Sequence, residues 1–290
     1  MTIAPAVGPA RVLGTMVAYG FEKIRLADEL ALARRLGAQV LEILPDWRVM
    51  PAASRLRAQV AEAGLTIHSA HGCWGSQAIG APRVDLGHPE RAVRGPSVAD
   101  LKQCVDWLAA AGGSCLVVHP GGLSEPIETA ARTGALAESL TALADHARGT
   151  GVVLCVENMP PGVHPGSRMA PLFDLIAALY RPELALAVDT GHAHIAADAA
   201  SETRAAGRLL RTTHVHDNNG RQDAHLPPGL GTLDWTAWIA ALDAIDYRGP
   251  IVLECIRHLR NEPESLNEEL LVRLNALTRS SARDASGGRP

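Results

Sequence analysis

Aromatic residues make up only 3% of this 290-residue chain: five Trp, three Tyr and two Phe. A core of ordinary size must then be built from Ala, Leu and Val, and each tryptophan becomes informative by its position. Lysine is nearly missing. Lys23 and Lys102 stand alone, and the other basic residues are arginines scattered without a run. With a formal net charge of −4, the chain lacks the cationic patch of proteins that hold nucleic acid through many phosphate contacts, so nucleic acid is not the expected partner. The five cysteines, Cys73, Cys104, Cys115, Cys155 and Cys255, are odd in number and contain no Cys-x-x-Cys pair. That argues against a disulfide framework or a structural zinc knuckle and fits a reducing cytoplasm. No apolar run is long enough to span a bilayer, and the opening MTIAPAVGPARVLG has no charged segment followed by an apolar one. The expectation is a cytoplasmic protein, neither exported nor membrane-bound.

What the chain does have is 47% hydrophobic residue types against 20% charged, the balance of a globular protein with a substantial core. Eight short apolar runs, at 12–20, 39–44, 65–71, 115–120, 152–158, 184–189, 212–217 and 251–256, are rich in β-branched residues or Leu and have the length of buried strands. Between them, stretches such as IRLADELALARRLGA and SVADLKQCVDWLAAAGG repeat apolar residues at i, i+3, i+4 and i+7, with Gly where a helix should stop. Nothing in the middle reads as a linker. The expectation is an α/β chain folded as a (β/α)₈ TIM barrel, a single domain over 1–278, with 279–290 a disordered Gly/Ser-rich tail. An open doubly wound sheet would want a glycine-rich phosphate turn after its first strand, and VAYGFEK lacks one.

Nearly every run carries, toward its C-terminal side, a residue able to ligate a metal: Glu42, His71, His119, Glu157, Asp189, His214 with His216, and Glu254. Strand C-termini of such a barrel converge on the face where active sites are built, so these side chains are expected to share one pocket. Any one of them alone reads more readily as a hydrogen-bonded partner or a helix cap. Together they are costly to bury, at several kcal/mol per unpaired charge, and a divalent cation is the usual remedy. Mixed oxygen and nitrogen donors suit Mn²⁺, Co²⁺, Zn²⁺ or Fe²⁺ better than Mg²⁺. Glu157 and Glu254 would face each other across the mouth, where a carboxylate pair can remove and return a proton at the carbon next to a carbonyl. Trp74, in a top-face loop, and Glu42 are candidate substrate contacts, whereas Trp107, at core spacing on a helix, reads as structural. His68, three residues before His71, is expected to point the opposite way, toward core or helices. His216 reads as a partner of the ligands. Arg168 and Arg257 are the arginines best placed to meet an anion, but read first as surface ion pairs.

The strings VEN at Glu157, DTGH at 189–192, HVHDNNGRQDAHLPPGLGTLDW from His214 and LEC around Glu254 resemble the xylose isomerase-like TIM barrels called sugar phosphate isomerases/epimerases. The resemblance covers nearly the whole chain in strand order. It implies that Glu157, Asp189, His214 and Glu254 ligate one divalent ion and that Glu157 and Glu254 double as the acid/base pair. It also implies that His192 touches the oxygens of a small carbohydrate substrate, with Arg221 the nearest candidate for a substrate-contacting arginine. The chain is also similar to the endonuclease IV type of abasic-site DNA repair enzyme in the same superfamily. Those enzymes hold three zinc ions with nine ligands, and the matching positions here are His71, His119, Glu157, Asp189, His192, His214, Asp223, His225 and Glu254. The resemblance thus implies one ion first and up to three. It implies sugar isomerase or epimerase chemistry first, with a multinuclear zinc phosphoesterase or a keto-polyol dehydratase or lyase as alternatives. Leu230 stands where both branches commonly carry Glu. A homo-oligomer is left open.

Overall fold

The computed structural model describes residues 11–280. Its eight strands are β1 (Leu13–Tyr19), β2 (Val40–Pro45), β3 (Thr66–His71), β4 (Cys115–Val118), β5 (Val153–Glu157), β6 (Leu184–Asp189), β7 (Leu210–His214) and β8 (Ile251–Leu253). All pair in parallel, β1 with β8 and then in sequence order to β7. The ring closes between β7 and β8 through Val215, whose N–H donates to the Val252 carbonyl at 2.7 Å and whose carbonyl accepts from Glu254 N–H at 3.0 Å. This is the expected TIM barrel.

Helices α1 (Leu26–Leu36), α2 (Ala53–Glu62), α3 (Arg91–Ala111), α4 (Thr129–Ala147), α5 (Met169–Leu179), α6 (Thr190–Ala196), α7 (Ala199–Ala206), α8 (Trp235–Ala244), α9 (Ile256–Asn261) and α10 (Glu268–Leu277) complete the chain. Helix α1 shows why they form. Leu30, Ala33 and Leu36 fall on the buried face, Asp28 and Glu29 sit in the first turn and Arg34 and Arg35 in the last, matching the helix dipole. Gly37, at φ 79°, ends it by donating to the carbonyls of Ala33 and Arg34.

Two cores result. Between sheet and helices lies a layer that includes Leu41, Ile43, Leu101, Leu116 and Leu140. Trp107 packs edge-on to Trp47 with ring centroids 5.2 Å apart and donates from Nε1 to the Pro51 carbonyl, the structural role expected of it. Inside the barrel a separate cluster of small side chains, Cys115, Val117, Cys155, Ala185 and Ala187, fills the space beneath the polar mouth. All five cysteines are buried and unpaired.

The apolar runs overshoot the strands at their C-terminal ends. His119, His216 and Glu254 lie past the last residues of β4, β7 and β8, because there the chain leaves the ladder to turn ligand-type side chains into the mouth. One parity expectation fails. The β2–β3 register slips from Leu41↔Ile67 to Glu42↔Ser69, an irregularity that takes His68 out of the ladder. His68 therefore lines the opposite mouth of the barrel with Ser114, Arg211 and Tyr247, rather than facing the helices. The expected tail falls, from residue 281 onward, outside the described residues. No described helix is long and apolar enough to cross a membrane.

Candidate metal centre

Four of the site residues end their strands: His71 on β3, Glu157 on β5, Asp189 on β6 and His214 on β7. Asp189 is also the N-cap of α6, and its Oδ1 accepts from His192 N–H at 2.7 Å, which turns His192 back over the mouth. Asn158 clamps this corner. Its Oδ1 accepts from Asp189 N–H at 2.8 Å, its Nδ2 donates to the Asp189 carbonyl at 3.1 Å, and its own carbonyl accepts from His192 Nδ1 at 2.8 Å. Asp223 and His225 arrive on the long connection between β7 and α8. That loop is pinned by Asp217, 0% exposed, which accepts from Asn218 N–H and Leu233 N–H on Oδ1 and from Gly229 N–H and Trp235 Nε1 on Oδ2. At Gly231 a Cβ would sit 2.3 Å from the Asn218 carbonyl oxygen, so only glycine fits. Asn158 and Asp217 were missed in the sequence reading, although the strings VEN and HVHDNNG contain them.

The donors form overlapping clusters. Ligand atoms of Glu157, Asp189, His214 and Glu254 all lie within 4.8 Å of one another. His214 Nδ1 is 2.8 Å from Glu157 Oε1 and 3.1 Å from Glu254 Oε2. Glu157 then reaches outward: its Oε2 is 3.3 Å from His119 Nε2 and 3.9 Å from His71 Nε2, and these three make a second cluster. On the other side, His192 Nε2 and His225 Nε2 lie 3.3 and 3.2 Å from Asp223 Oδ2. His216 belongs to two clusters there, one with Asp189 and His192 and one with Asp223 and His225. All nine sequence-expected ligands are thus gathered at one mouth.

The outer nitrogen of four of these imidazoles is anchored. His71 Nδ1 donates to the Gly72 carbonyl, His192 Nδ1 to Asn158, His225 Nδ1 to Glu254, and His214 Nε2 to the Glu42 carboxylate at 2.6 Å. Each anchor holds one nitrogen and turns the other toward the cluster, the arrangement that orients metal-binding histidines. His225 achieves this from a left-handed backbone, φ 46°.

The inward-facing atoms call for positive charge. Glu157 Oε2 and Glu254 Oε2 are buried beside His119 Nε2 at 3.3 Å and His214 Nδ1 at 3.1 Å, but neither contact has good hydrogen-bond geometry, which is expensive for carboxylates. Burial alone would raise Glu157, but the attraction of His214 and His119 holds it well below the usual carboxylate range. Asp189 is likewise penalised by burial yet drawn down to about 2 by His192 and His216. Burial would lower His192 and His225, but Asp189 beside the first and Asp223 beside the second push both up to about 10. A cation among these donors would take the place of the imidazole protons and meet the poorly bonded carboxylate oxygens, so the residues fit a divalent metal.

A cavity of about 700 Å³ opens above the cluster, with Met16, Phe21, Leu44, Met159 and Ile256 along its apolar side. Trp74 lines it as expected, its ring centroid 4.6 Å from that of His71. Two expected substrate contacts are not brought there. Glu42 is 0% exposed and sits beneath His214, one oxygen on His214 Nε2 and the other accepting from Ser69 Oγ at 2.6 Å. Its place in the middle of β2 (Val40–Pro45), below the strand ends that carry the ligand-type residues, puts this carboxylate under the site instead of in the cavity. Arg221 is exposed in the turn after Asn219, which accepts from its N–H, and does not line the cavity. Arg168 pairs with Glu202 at 2.7 Å, while Arg257 stands at the cavity wall. Leu230 is 51% exposed.

Comparison with known families decides the placement of this barrel, because the family described as xylose isomerase-like TIM barrel matches residues 30–276. The chain belongs to that family. Its relatives carry more than one activity in their names. The Mycobacterium ulcerans protein named "Probable endonuclease 4" is 27% identical over 262 residues, 84% of this chain and 95% of that protein. L-ribulose 3-epimerase of Methylomonas sp. is 29% identical over 235 residues, 78% of this chain and 76% of its own. Among solved structures, a D-tagatose 3-epimerase-like protein superposes with a TM-score of 0.73 at 21% identity, covering 90% of this chain and 98% of that one. Sugar epimerases thus stand on both the sequence and the structural side of the family.

Proposed function

We propose that this family member is a divalent-metal-dependent isomerase or epimerase of a small sugar or keto-polyol. The observation that carries this reading is the placement of Glu157 and Glu254. They lie 2.8 and 3.1 Å from His214 Nδ1, and Glu157 Oε2 and Glu254 Oε2 are buried with only imidazole nitrogens beside them, neither contact in good hydrogen-bond geometry, at the floor of a cavity with an apolar side. Glu157, Asp189, His214 and Glu254 would hold the ion. A bound Mn²⁺, Co²⁺, Zn²⁺ or Fe²⁺ supplies a Lewis acid that polarises a carbonyl and its neighbouring hydroxyl, acidifying the C–H bond between them. One carboxylate takes that proton and the other delivers one back: to the opposite face of the same carbon, which inverts it, or to the former carbonyl carbon while the neighbouring hydroxyl gives up its proton, which moves the carbonyl. His192 approaches the substrate's hydroxyls from α6, and Trp74 with the apolar side shields the reacting carbon from water. The five unpaired, buried cysteines suit a cytoplasmic setting. Incubation of metal-loaded protein in D₂O with a panel of ketoses and keto-inositols is expected to place deuterium on the carbon next to the carbonyl. Exchange with no member of the panel would sink this assignment.

A specific observation favours a second reading. The flanking clusters around His71, His119 and Glu157 and around His192, Asp223 and His225 supply five donors that a mononuclear site does not use. Three ions in a row would suit phosphoester hydrolysis, a chemistry for which paired metals clamp attacking and leaving oxygens. Nicking of duplex DNA at abasic sites, with no deuterium exchange into sugars, would select it.

A further inference from the structure

His216 differs from the four anchored histidines of the mouth. It is 0% exposed, yet its outer nitrogen, Nδ1, is buried without a partner, whereas His71, His192, His214 and His225 each have theirs anchored. Its Nε2 does the bonding instead, donating to Asp189 Oδ2 at 3.0 Å and lying 3.7 Å from Asp223 Oδ1. Unlike His192, Asp223 and His225, His216 does not line the cavity, so it stands behind the outer donors rather than among them.

The ring is held in a slot. On one side is Gly191, where a Cβ would fall 2.0 Å from the His216 ring, so no other residue leaves room for the imidazole. On the other side the His225 ring stacks at 4.0 Å, the planes only 13° apart. Asn218 Nδ2 donates to the Gly191 carbonyl at 2.9 Å and ties the wall of the slot to the loop that carries Asp223 and His225. His216 therefore touches Asp189, which belongs to the central cluster, and both loop members of the outer one.

We infer that His216 is a positioning residue that couples the two metal clusters, fixing Asp189 for the central ion and the plane of His225 for an outer ion held by His192, Asp223 and His225. This rests on the metal centre proposed above and goes beyond it, because it assigns the number of ions retained to a residue that ligates none of them. Loss of the ring would free Asp189 Oδ2 and leave His225, whose side chain is 35% exposed, with one packing wall fewer.

The test uses the full chain loaded with Zn²⁺ or Co²⁺, with ions per chain counted by mass spectrometry of the metal and affinities read by chelator competition. The wild type is expected to hold more than one ion. In His216→Phe, which keeps an aromatic ring in the slot but removes the donor, the weaker ion should be released about 10- to 100-fold more readily, the scale of losing a residue that orients a ligand. The Co²⁺ absorption spectrum of the remaining ion should stay close to that of wild type. His216→Gln, which can bring an amide N–H toward Asp189, should recover part of the loss, a rescue that a merely space-filling role would not show. Thermal unfolding of the metal-free variants reports whether each folds. Equal stoichiometry and affinity in His216→Phe and wild type overturn the inference and leave the proposed function standing. A wild type that retains no divalent ion overturns both.

Discussion

The two mouths of the barrel are built from opposite materials. At the C-terminal mouth, imidazoles and carboxylates are aimed at one another, with Glu157 1% and Asp189 and His214 0% exposed. At the N-terminal mouth, a cavity of about 530 Å³ is lined by residues that include Ser114, Arg208, Arg211 and Tyr247, below the small interior side chains Cys115, Cys155 and Ala185. Three polar groups there have local partners: Tyr247 Oη donates to the Pro250 carbonyl at 2.8 Å, Arg11 pairs with Asp243, and Arg248 pairs with Asp246. The upper mouth crowds buried carboxylates and imidazoles against one another, whereas at the lower one Tyr247, Arg11 and Arg248 have partners of their own and His68 Nε2 is buried without one. One end groups side chains that could hold a metal ion, and the other closes the fold.

The sharpest way to break that contrast is to remove its central carboxylate. Glu157→Ala deletes a group shared by two clusters and one of the two proton-transfer residues, so turnover should fall about 10³-fold or more and metal content should drop. Glu254→Gln keeps the volume and a ligand oxygen. It should cost about 10²- to 10³-fold in turnover with little change in unfolding temperature, and a larger fall in stability than in activity would move Glu254 out of the chemistry.

Glu42 tests whether the contrast extends below the ligands. Glu42→Gln weakens the acceptor that fixes the His214 tautomer, and metal affinity should decline about 10- to 100-fold with the substrate KM little altered at saturating metal. A raised KM alone would restore Glu42 as a substrate contact.

Protonation gives a gentler probe. In the metal-free fold His192 and His225 are raised from 6.5 to about 10. Their contribution to stability is complete below pH 6.5 and lost as pH rises toward 10. The unfolding temperature of metal-free protein should therefore decline between pH 7 and 10, while metal-loaded protein, whose imidazoles are already neutral ligands, should change far less. Smallest of all should be the lower-mouth control. Cys115→Ala is expected to cost about 1 kcal/mol of stability and to leave metal content and activity unchanged, and an effect on metal binding would erase the distinction between the two ends.

Much of this site is readable from sequence because ligand-type residues sit at the ends of apolar runs, and a barrel gathers strand ends without regard to details of the path between them. His71, Glu157, Asp189 and His214 are placed by strand position alone. Glu42 and His68 could not be placed that way. The register slip between β2 and β3 decides where His68 lies and no local pattern marks it, while Glu42 lies beneath the mouth because the run that carries it continues three residues further as β2. The loop after β7 was half readable. Asp223 and His225 stand out as a pair, but the hub that brings them in, Asp217 with its four donors, depends on Gly229, Leu233 and Trp235 folding back over Asn218. Arg221 stays outside for the same reason, because the NNG turn directs it to solvent.

Metal content tests the account most directly. Protein purified without chelator, then stripped and reloaded in separate samples with Mn²⁺, Co²⁺ and Zn²⁺, is predicted to retain at least one divalent ion per chain through gel filtration. That ion should be lost in Glu157→Ala and kept in Cys115→Ala. Wild-type protein that retains none of these ions, and whose unfolding temperature does not move when they are added, would contradict the reading of the upper mouth as a metal centre.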